Sequence, residues 1–374
     1  MTASSSQKLG TASLLLGAVL FALAIGEGAV RLLKPGLVQG PDPIRNPFWR
    51  YDPDIGWSHM PGSEGTFSRK EFRHRVRINS AGWRDRERVL PKPAGVFRVA
   101  VLGDSFTWGH GVDDDKVYTR VLERIVGGVE VLNFGLSGSS TDQQLLILKR
   151  HVLAYQPDLV LLMVTRNDFF DTGRRRVGSY PKPMFVLSVD GALHLTNVPV
   201  PEVSWLRRFH YRLRRHLGLL NLVEGVFRNH GNSLPASAAA SPAADRYRLM
   251  RALLMEMHDQ SAGAGAAFAI CVTAMGAHTY PDEIPREDLE RLEMLQHLAR
   301  SEAIPLLNLV PGFRSAARNT SSGRPDVLHY PEDLHWTIAG HRLAAKELAR
   351  LLKEKGLVPV GREPRLGGLG TSDP

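Results

Sequence analysis

Phe97-Arg98-Val99-Ala100-Val101-Leu102, followed without a break by Gly103-Asp104-Ser105-Phe106, is the stretch on which the fold turns. Its first six residues form a short, β-branched, nearly continuous apolar run, as expected of a strand buried on both faces. The next four are small, polar or turn-forming. Four more such runs follow: Val129–Phe134 (VEVLNF), Asp158–Val164 (DLVLLMV), Phe268–Thr273 (FAICVT) and Pro305–Val310 (PLLNLV). Helical patterns over Tyr118–Ile125, Thr141–Ala154, Asp245–Gln260, Arg286–Ala299 and Thr337–Lys353 alternate with them. Strands alternating with helices predict an α/β protein with a doubly wound, mainly parallel five-stranded sheet covered on both faces.

Outward from this core the chain changes character. The crossover between the third and fourth runs, from about residue 165 to 267, is several times longer than a βα connection requires. It predicts a cap-like insertion at about 170–244. Within it, Trp205–His216 (WLRRFHYRLRRH) places Leu206, Phe209 and Leu213 at helical spacing opposite five arginines. That is an amphipathic cap helix with a wet basic face, or a segment that lies on anionic lipid. Upstream, residues 35–95 are rich in Pro, Gly and Trp. Tyr51–Trp57 reads as turn chemistry and Phe72–Ile78 (FRHRVRI) as a half-exposed strand, so this stretch is a small β-rich preface. The main α/β body is expected over 96–358, with a flexible tail at 359–374.

At the amino terminus, Leu9–Ile25 is an almost uninterrupted apolar run, about 26 Å long as a helix. Residues 1–34 therefore read as a signal anchor, with Arg31 and Lys34 at the interface, or as a signal peptide cleaved after Ala22-Leu23-Ala24. Either reading exports the body. The expected location is the periplasmic side of a bacterial inner membrane, with one amino-terminal span, or secretion after cleavage. Of 374 residues, 43% are hydrophobic and 23% charged, which excludes a disordered or collagen-like chain. The single cysteine, Cys271, excludes an internal disulfide and a thiolate metal cluster. The net charge of +9 favours anionic surroundings, but no nucleic-acid-reading module accompanies it, so no nucleic-acid partner is expected.

Polar groups collect at the strand ends. Gly103-Asp104-Ser105 places a hydroxyl at the mouth of the crevice where such sheets bind ligands. The glycine spacings of a phosphate loop, a dinucleotide fingerprint and a nucleophile elbow are all missing; Thr107 stands where the elbow's second glycine would be. Asn133-Phe134-Gly135-Leu136-Ser137-Gly138 ends the second strand and Arg166-Asn167-Asp168 the third, offering backbone and amide donors. Asp333-Leu334-His335-Trp336 precedes the last helix. In an extended segment residues two apart share a side, so Asp333 can lie against His335, with Glu332 a rival orienting acid. His341 reads as packed or capping. His74, His110, His151, His210 and His278 show no tight ligand spacing, and no metal site is expected.

These four blocks, in this order, resemble the GDSL/SGNH hydrolase family. The resemblance implies an SGNH, flavodoxin-like fold over roughly residues 97–355 apart from the insertion. It implies Ser105 as nucleophile, with Asp333 and His335 completing a triad. It also implies an oxyanion hole from Ser105, Gly138 (with Gly135 a substitute) and Asn167. Two departures stand out: Thr165 replaces the glycine of the third block, and Asp333 lies two residues before His335 rather than three. The Asp-x-His-Trp form is similar to members linked to exopolysaccharide O-acetylation. The implied activity is a serine esterase acting on O-acyl esters of a cell-surface glycan or lipid, without cofactor. The alternatives are an O-acetyltransferase served by a membrane acyl-donor partner, and a non-catalytic glycan-binding protein.

Overall fold

Nothing in the amino-terminal apolar run stops a helix, and in the computed structural model it forms one, α1 (Ser5–Leu33). Its segment Thr11–Leu33 is long and apolar enough to cross a membrane, a property that signal sequences share. The structure describes residues 5–33, 48–178, 180–318 (apart from 207, 208, 210–212, 214–216, 221 and 223–242) and 327–359. The tail expected at 359–374 lies outside them but for its first residue, as does most of the basic block Trp205–His216. The chain divides into two compact units, Met1–Asn46 with Glu202–Ala240, and Pro47–Pro201 with Ser241–Pro374. Within the first, the Glu27 carboxylate accepts the N–H groups of Gly218 and Leu219 at 3.0 and 2.8 Å.

In the second unit, alternation of polar and apolar residues yields hairpins. β1 (Trp49–Asp52) pairs antiparallel with β2 (Gly56–His59), and β3 (Glu64–Ser68) with β4 (Arg73–Arg77). Along β4 the three arginines are exposed while His74 and Val76 are buried. Phe48, Phe67, Phe72, Val76, Ile78 and Trp108 form a small aromatic core beneath these hairpins.

The five apolar runs have no polar face to offer water, so they form one central sheet. Its strands are β5 (Phe97–Gly103), β6 (Val129–Gly135), β7 (Leu159–Val164), β12 (Ala267–Val272) and β13 (Leu306–Asn308), in the order β13-β12-β7-β5-β6, all parallel. Two small hairpins occupy the start of the long crossover: β8 (Arg176–Val177) with β9 (Tyr180–Pro181), and β10 (Met184–Leu187) with β11 (Leu193–Thr196).

The helices are α2 (Ser105–Trp108), α3 (Tyr118–Val126), α4 (Thr141–Ile147), α5 (Arg166–Asp171), α6 (Ala243–Gly263), α7 (Gly276–Thr279), α8 (Arg286–Ser301), α9 (Val310–Arg318) and α10 (Ile338–Glu354). α9 and the crossover hairpins were not foreseen, because neither has a long periodic pattern. Val99, Val101, Leu159, Leu161 and Met163 are fully buried against Leu307, Phe313, Trp336 and Leu348. The strand order reverses between β5 and β7, so the carboxyl ends of these two strands flank the crevice where such sheets hold ligands.

Candidate active site

Ser105 opens α2 directly beyond β5, and Asp104 caps that helix by accepting the Phe106 N–H at 2.9 Å. Gly103 is needed here for close approach: a Cβ on it would lie 2.2 Å from Thr107 Oγ1. The Ser105 hydroxyl is 2.7 Å from His335 Nε2, and His335 Nδ1 is 2.6 Å from Asp333 Oδ1. The structure thus joins Asp333, His335 and Ser105 in one chain of hydrogen bonds. The His335 ring packs on Phe106 and His110, with centroids 4.9 and 4.2 Å away.

Asp333 and His335 meet by a different geometry from the one expected. The segment is not extended: Leu334 has φ +70°, the left-handed region that an exposed, non-glycine residue seldom adopts. Leu334 N–H donates to the Tyr330 carbonyl and Tyr330 N–H to the His335 carbonyl, which closes the turn. Glu332, the rival acid, pairs instead with Lys70 at the surface.

Gly138 and Gly135 also separate. Gly135 is buried, its N–H is taken by Asn133 Oδ1 at 2.9 Å, and a Cβ there would strike the Trp108 nitrogen at 2.3 Å. It is a packing glycine under α2. Gly138, at φ +76°, sits in the loop between β6 and α4. Asn167 lies in the first turn of α5, after β7, and its Oδ1 accepts from the Thr165 hydroxyl, which also lies 2.9 Å from the Asp104 carboxylate.

The preface, unexpectedly, grips three of these loops, those of Ser105, Gly138 and Asp333. Buried Arg84 donates to the carbonyls of Trp108 (3.2 Å), Gly109 (2.6 Å) and Val112 (2.7 Å), beyond Ser105. The Trp57 indole donates to the Ser137 carbonyl at 3.1 Å, next to Gly138. Glu71 accepts the N–H groups of Asp333 and Glu332 at 2.6 and 3.0 Å. From the crossover, the fully buried Lys182 ammonium is bound by Asp142, in the first turn of α4, at 2.7 and 2.6 Å. Single-residue motifs did not reveal these groups; the only available signals were a lone Trp, Glu, Arg and Lys in loop-like sequence.

Burial opposes charge on Asp333, but the His110 and His335 imidazoles beside it hold its carboxyl far below the usual range. His110, whose Nε2 is 3.7 Å from Asp333 Oδ2, is pushed down to about 3 by burial and then by His335, so it is neutral in the working range. His110, Asp333 and His335 bring three ligand-type atoms within 4.8 Å of one another, the one group among the described residues with the donors to hold a cation. The hydrogen bond between Asp333 and His335 already occupies two of them. His341 is buried, with Nδ1 3.3 Å from the Tyr118 N–H. His74, His151 and His278 stand apart from Ser105 in other packing environments, and His210 lies outside the described residues.

With this geometry in view, residues 101–343 match the model of the GDSL-like lipase/acylhydrolase family. No curated protein matches the chain. Similar solved structures include the acetyl xylan esterase AlAXEase (13% identity over 67% of this chain and 98% of that one, TM-score 0.41). Another is LAE5, an α/β hydrolase enzyme from the metagenome of Lake Arreo, Spain (12%, 69% and 95%, TM-score 0.43). A third is a catalytic mutant of Axe2, an acetylxylan esterase from Geobacillus stearothermophilus (13%, 70% and 95%, TM-score 0.40). The family match spans well over half of the chain, and the protein belongs to the GDSL-like lipase/acylhydrolase family of ester-hydrolysing enzymes.

Proposed function

We propose that the protein is a serine esterase that removes O-acyl groups from a cell-surface glycan or lipid while anchored by α1 at the periplasmic face of a bacterial inner membrane. The observation that carries this proposal is the unbroken path from Asp333 through His335 to the Ser105 hydroxyl, at 2.6 and 2.7 Å. Ser105 Oγ attacks the ester carbonyl while His335 Nε2 takes its proton. Asp333 holds the imidazole by Nδ1 and stabilises its cationic form. Negative charge on the carbonyl oxygen is met by the N–H groups of Ser105 and Gly138 and the Asn167 amide, each such donor being worth about 100- to 1,000-fold in turnover. Collapse of the tetrahedral species breaks the C–O bond, and His335 returns its proton to the departing alcohol. Water, activated by the same imidazole, then hydrolyses the acyl-enzyme.

A sugar hydroxyl in place of that water makes the enzyme an O-acetyltransferase, in which a membrane partner would supply the acyl group. The Asp333-Leu334-His335-Trp336 spacing favours keeping this second reading. A fluorophosphonate should label the peptide carrying Ser105, and Ser105→Ala should lower p-nitrophenyl acetate turnover by about 10⁴-fold or more. A label on another residue, or an active Ser105→Ala variant, would overturn the proposal. Mass spectrometry with an oligosaccharide acceptor separates the two readings: acetyl appears on the acceptor only for the transferase.

A further inference from the structure

Thr165 stands where the family pattern has glycine, and its side chain meets both the nucleophile loop and Asn167. It ends β7 and caps α5: its hydroxyl accepts the Asp168 N–H, while Asp168 accepts the Thr165 N–H at 2.8 Å. The same hydroxyl oxygen lies 2.9 Å from Asp104 Oδ2, 3.1 Å from Asp168 Oδ2, and in hydrogen-bond contact with Asn167 Oδ1. All three neighbours are acceptor oxygens, whereas a hydroxyl brings one hydrogen. Three acceptors surround such an oxygen without repulsion only when a further hydrogen belongs to the cluster, and a carboxyl group is what can carry it.

Asp168 is the better holder. It is fully buried, and burial followed by the neighbouring Asp104 charge pushes its carboxyl up to about 8. Its Oδ1 is already served by the Thr141 hydroxyl and the Gln144 amide, both at 3.1 Å. An Oδ2–H of Asp168 then points at the Thr165 oxygen. That leaves the single Thr165 hydrogen, shared between Asp104 Oδ2 and Asn167 Oδ1 as a three-centre bond. The Asn167 amide meets that hydroxyl through Oδ1, so its N–H₂ end is turned away from Thr165.

We propose that Thr165 is a positioning residue whose hydroxyl, by donating to Asn167 Oδ1, fixes the amide with its N–H₂ end turned away from Thr165 and toward the reacting carbonyl. The inference rests on the reading of Asn167 as an oxyanion donor. Rotating the amide by half a turn would put an acceptor where negative charge develops, so the orientation matters to the transition state far more than to substrate binding. A glycine at this position offers no hydroxyl for the purpose.

The test compares Thr165→Val, Thr165→Gly and Thr165→Ser in the full-length protein. Glycine is a tolerated cap residue, which keeps the test open if the valine variant does not fold. For p-nitrophenyl acetate, Val and Gly should lower kcat by about 10- to 100-fold with KM within about twofold, and Ser should recover most of the loss. Phenylboronic acid, which forms a tetrahedral anionic adduct with the nucleophile, should lose affinity in the same proportion as kcat. A purely capping role would lower thermal stability and leave both kcat and boronate affinity of the folded variants within about twofold of the parent; that result overturns the inference. If the parent neither turns over the ester nor labels at Ser105, the esterase reading fails and the inference falls with it.

Discussion

The central sheet and the preface hold the same loops by opposite means. Around the sheet the core is mainly aliphatic: Val99, Val101, Leu159 and Leu161 are buried without a polar atom among their side chains, and they determine where the strand ends come to rest. Under the preface the core is aromatic and polar. Phe67, Phe72 and Trp108 are packed with His74 and His110, and several buried polar atoms there have no hydrogen-bond partner among the described residues, including both ring nitrogens of His74. From the preface Arg84, Trp57 and Glu71 reach carbonyls and N–H groups on the three segments that carry Ser105, Gly138 and Asp333. The contrast teaches that strand ends are placed by apolar burial, while the orientation of the groups beyond them is set by directional bonds from outside the sheet.

Arg84→Met is the severest way to probe that contrast. Its guanidinium is fully buried, pairs with Asp114 at 2.7 Å and serves four carbonyls. Its removal should cost about 3–5 kcal/mol in chemical denaturation and also lower the kcat of the folded fraction. Leu161→Ala should cost a comparable 2–5 kcal/mol through a cavity, yet leave kcat unchanged below the transition temperature. If Leu161→Ala impairs kcat as strongly as Arg84→Met, the division of labour between the two cores is wrong. Glu71→Ala addresses orientation alone: kcat should fall about tenfold, equivalent to about 1.4 kcal/mol, with a shift in melting temperature of only a few degrees. An unchanged kcat would show that the Leu334 turn holds Asp333 unaided.

The smallest effect is a gain. His74 is buried, and burial and the nearby Arg84 charge push its imidazole from 6.5 down to about 2. Between those values the unfolded chain binds a proton that the folded chain refuses, so this residue removes stability as pH falls below about 6.5, by up to about 1.4 kcal/mol per pH unit. His74→Phe should add about 1 kcal/mol at pH 7, and its advantage over the parent should widen at pH 5. Urea titrations at the two pH values check this, and a pH-independent difference would refute it.

Much of the molecule was legible from local pattern. The five apolar runs became the five strands of the sheet, and Tyr118–Ile125 and Arg286–Ala299 became helices with ends shifted by at most two residues. Thr141–Ala154 illustrates the limit: the regular helix stops at Ile147 and continues as wider and then tighter turns to Tyr155, a change of winding that side-chain periodicity does not encode. At the site, the Asp-x-His spacing named the pair that meets but suggested an extended segment, whereas a left-handed Leu334 makes the contact. His110 looked isolated because its approach to Asp333 spans more than 200 residues of sequence.

The amino-acid sequence alone determined the alternation of strands and helices and the apolar amino-terminal helix, which follow from residue type and spacing within a few positions, while the resemblance of four short blocks to a known family singled out Ser105, Asn167, Asp333 and His335. Only the tertiary structure decided that Gly135 packs while Gly138 stays in the loop, that Thr165 joins two carboxyls to an amide, and that the preface steers three distant segments. These outcomes depend on hydrogen bonds whose partners become neighbours when the chain closes, and directional bonds of that kind leave no periodic trace in the sequence.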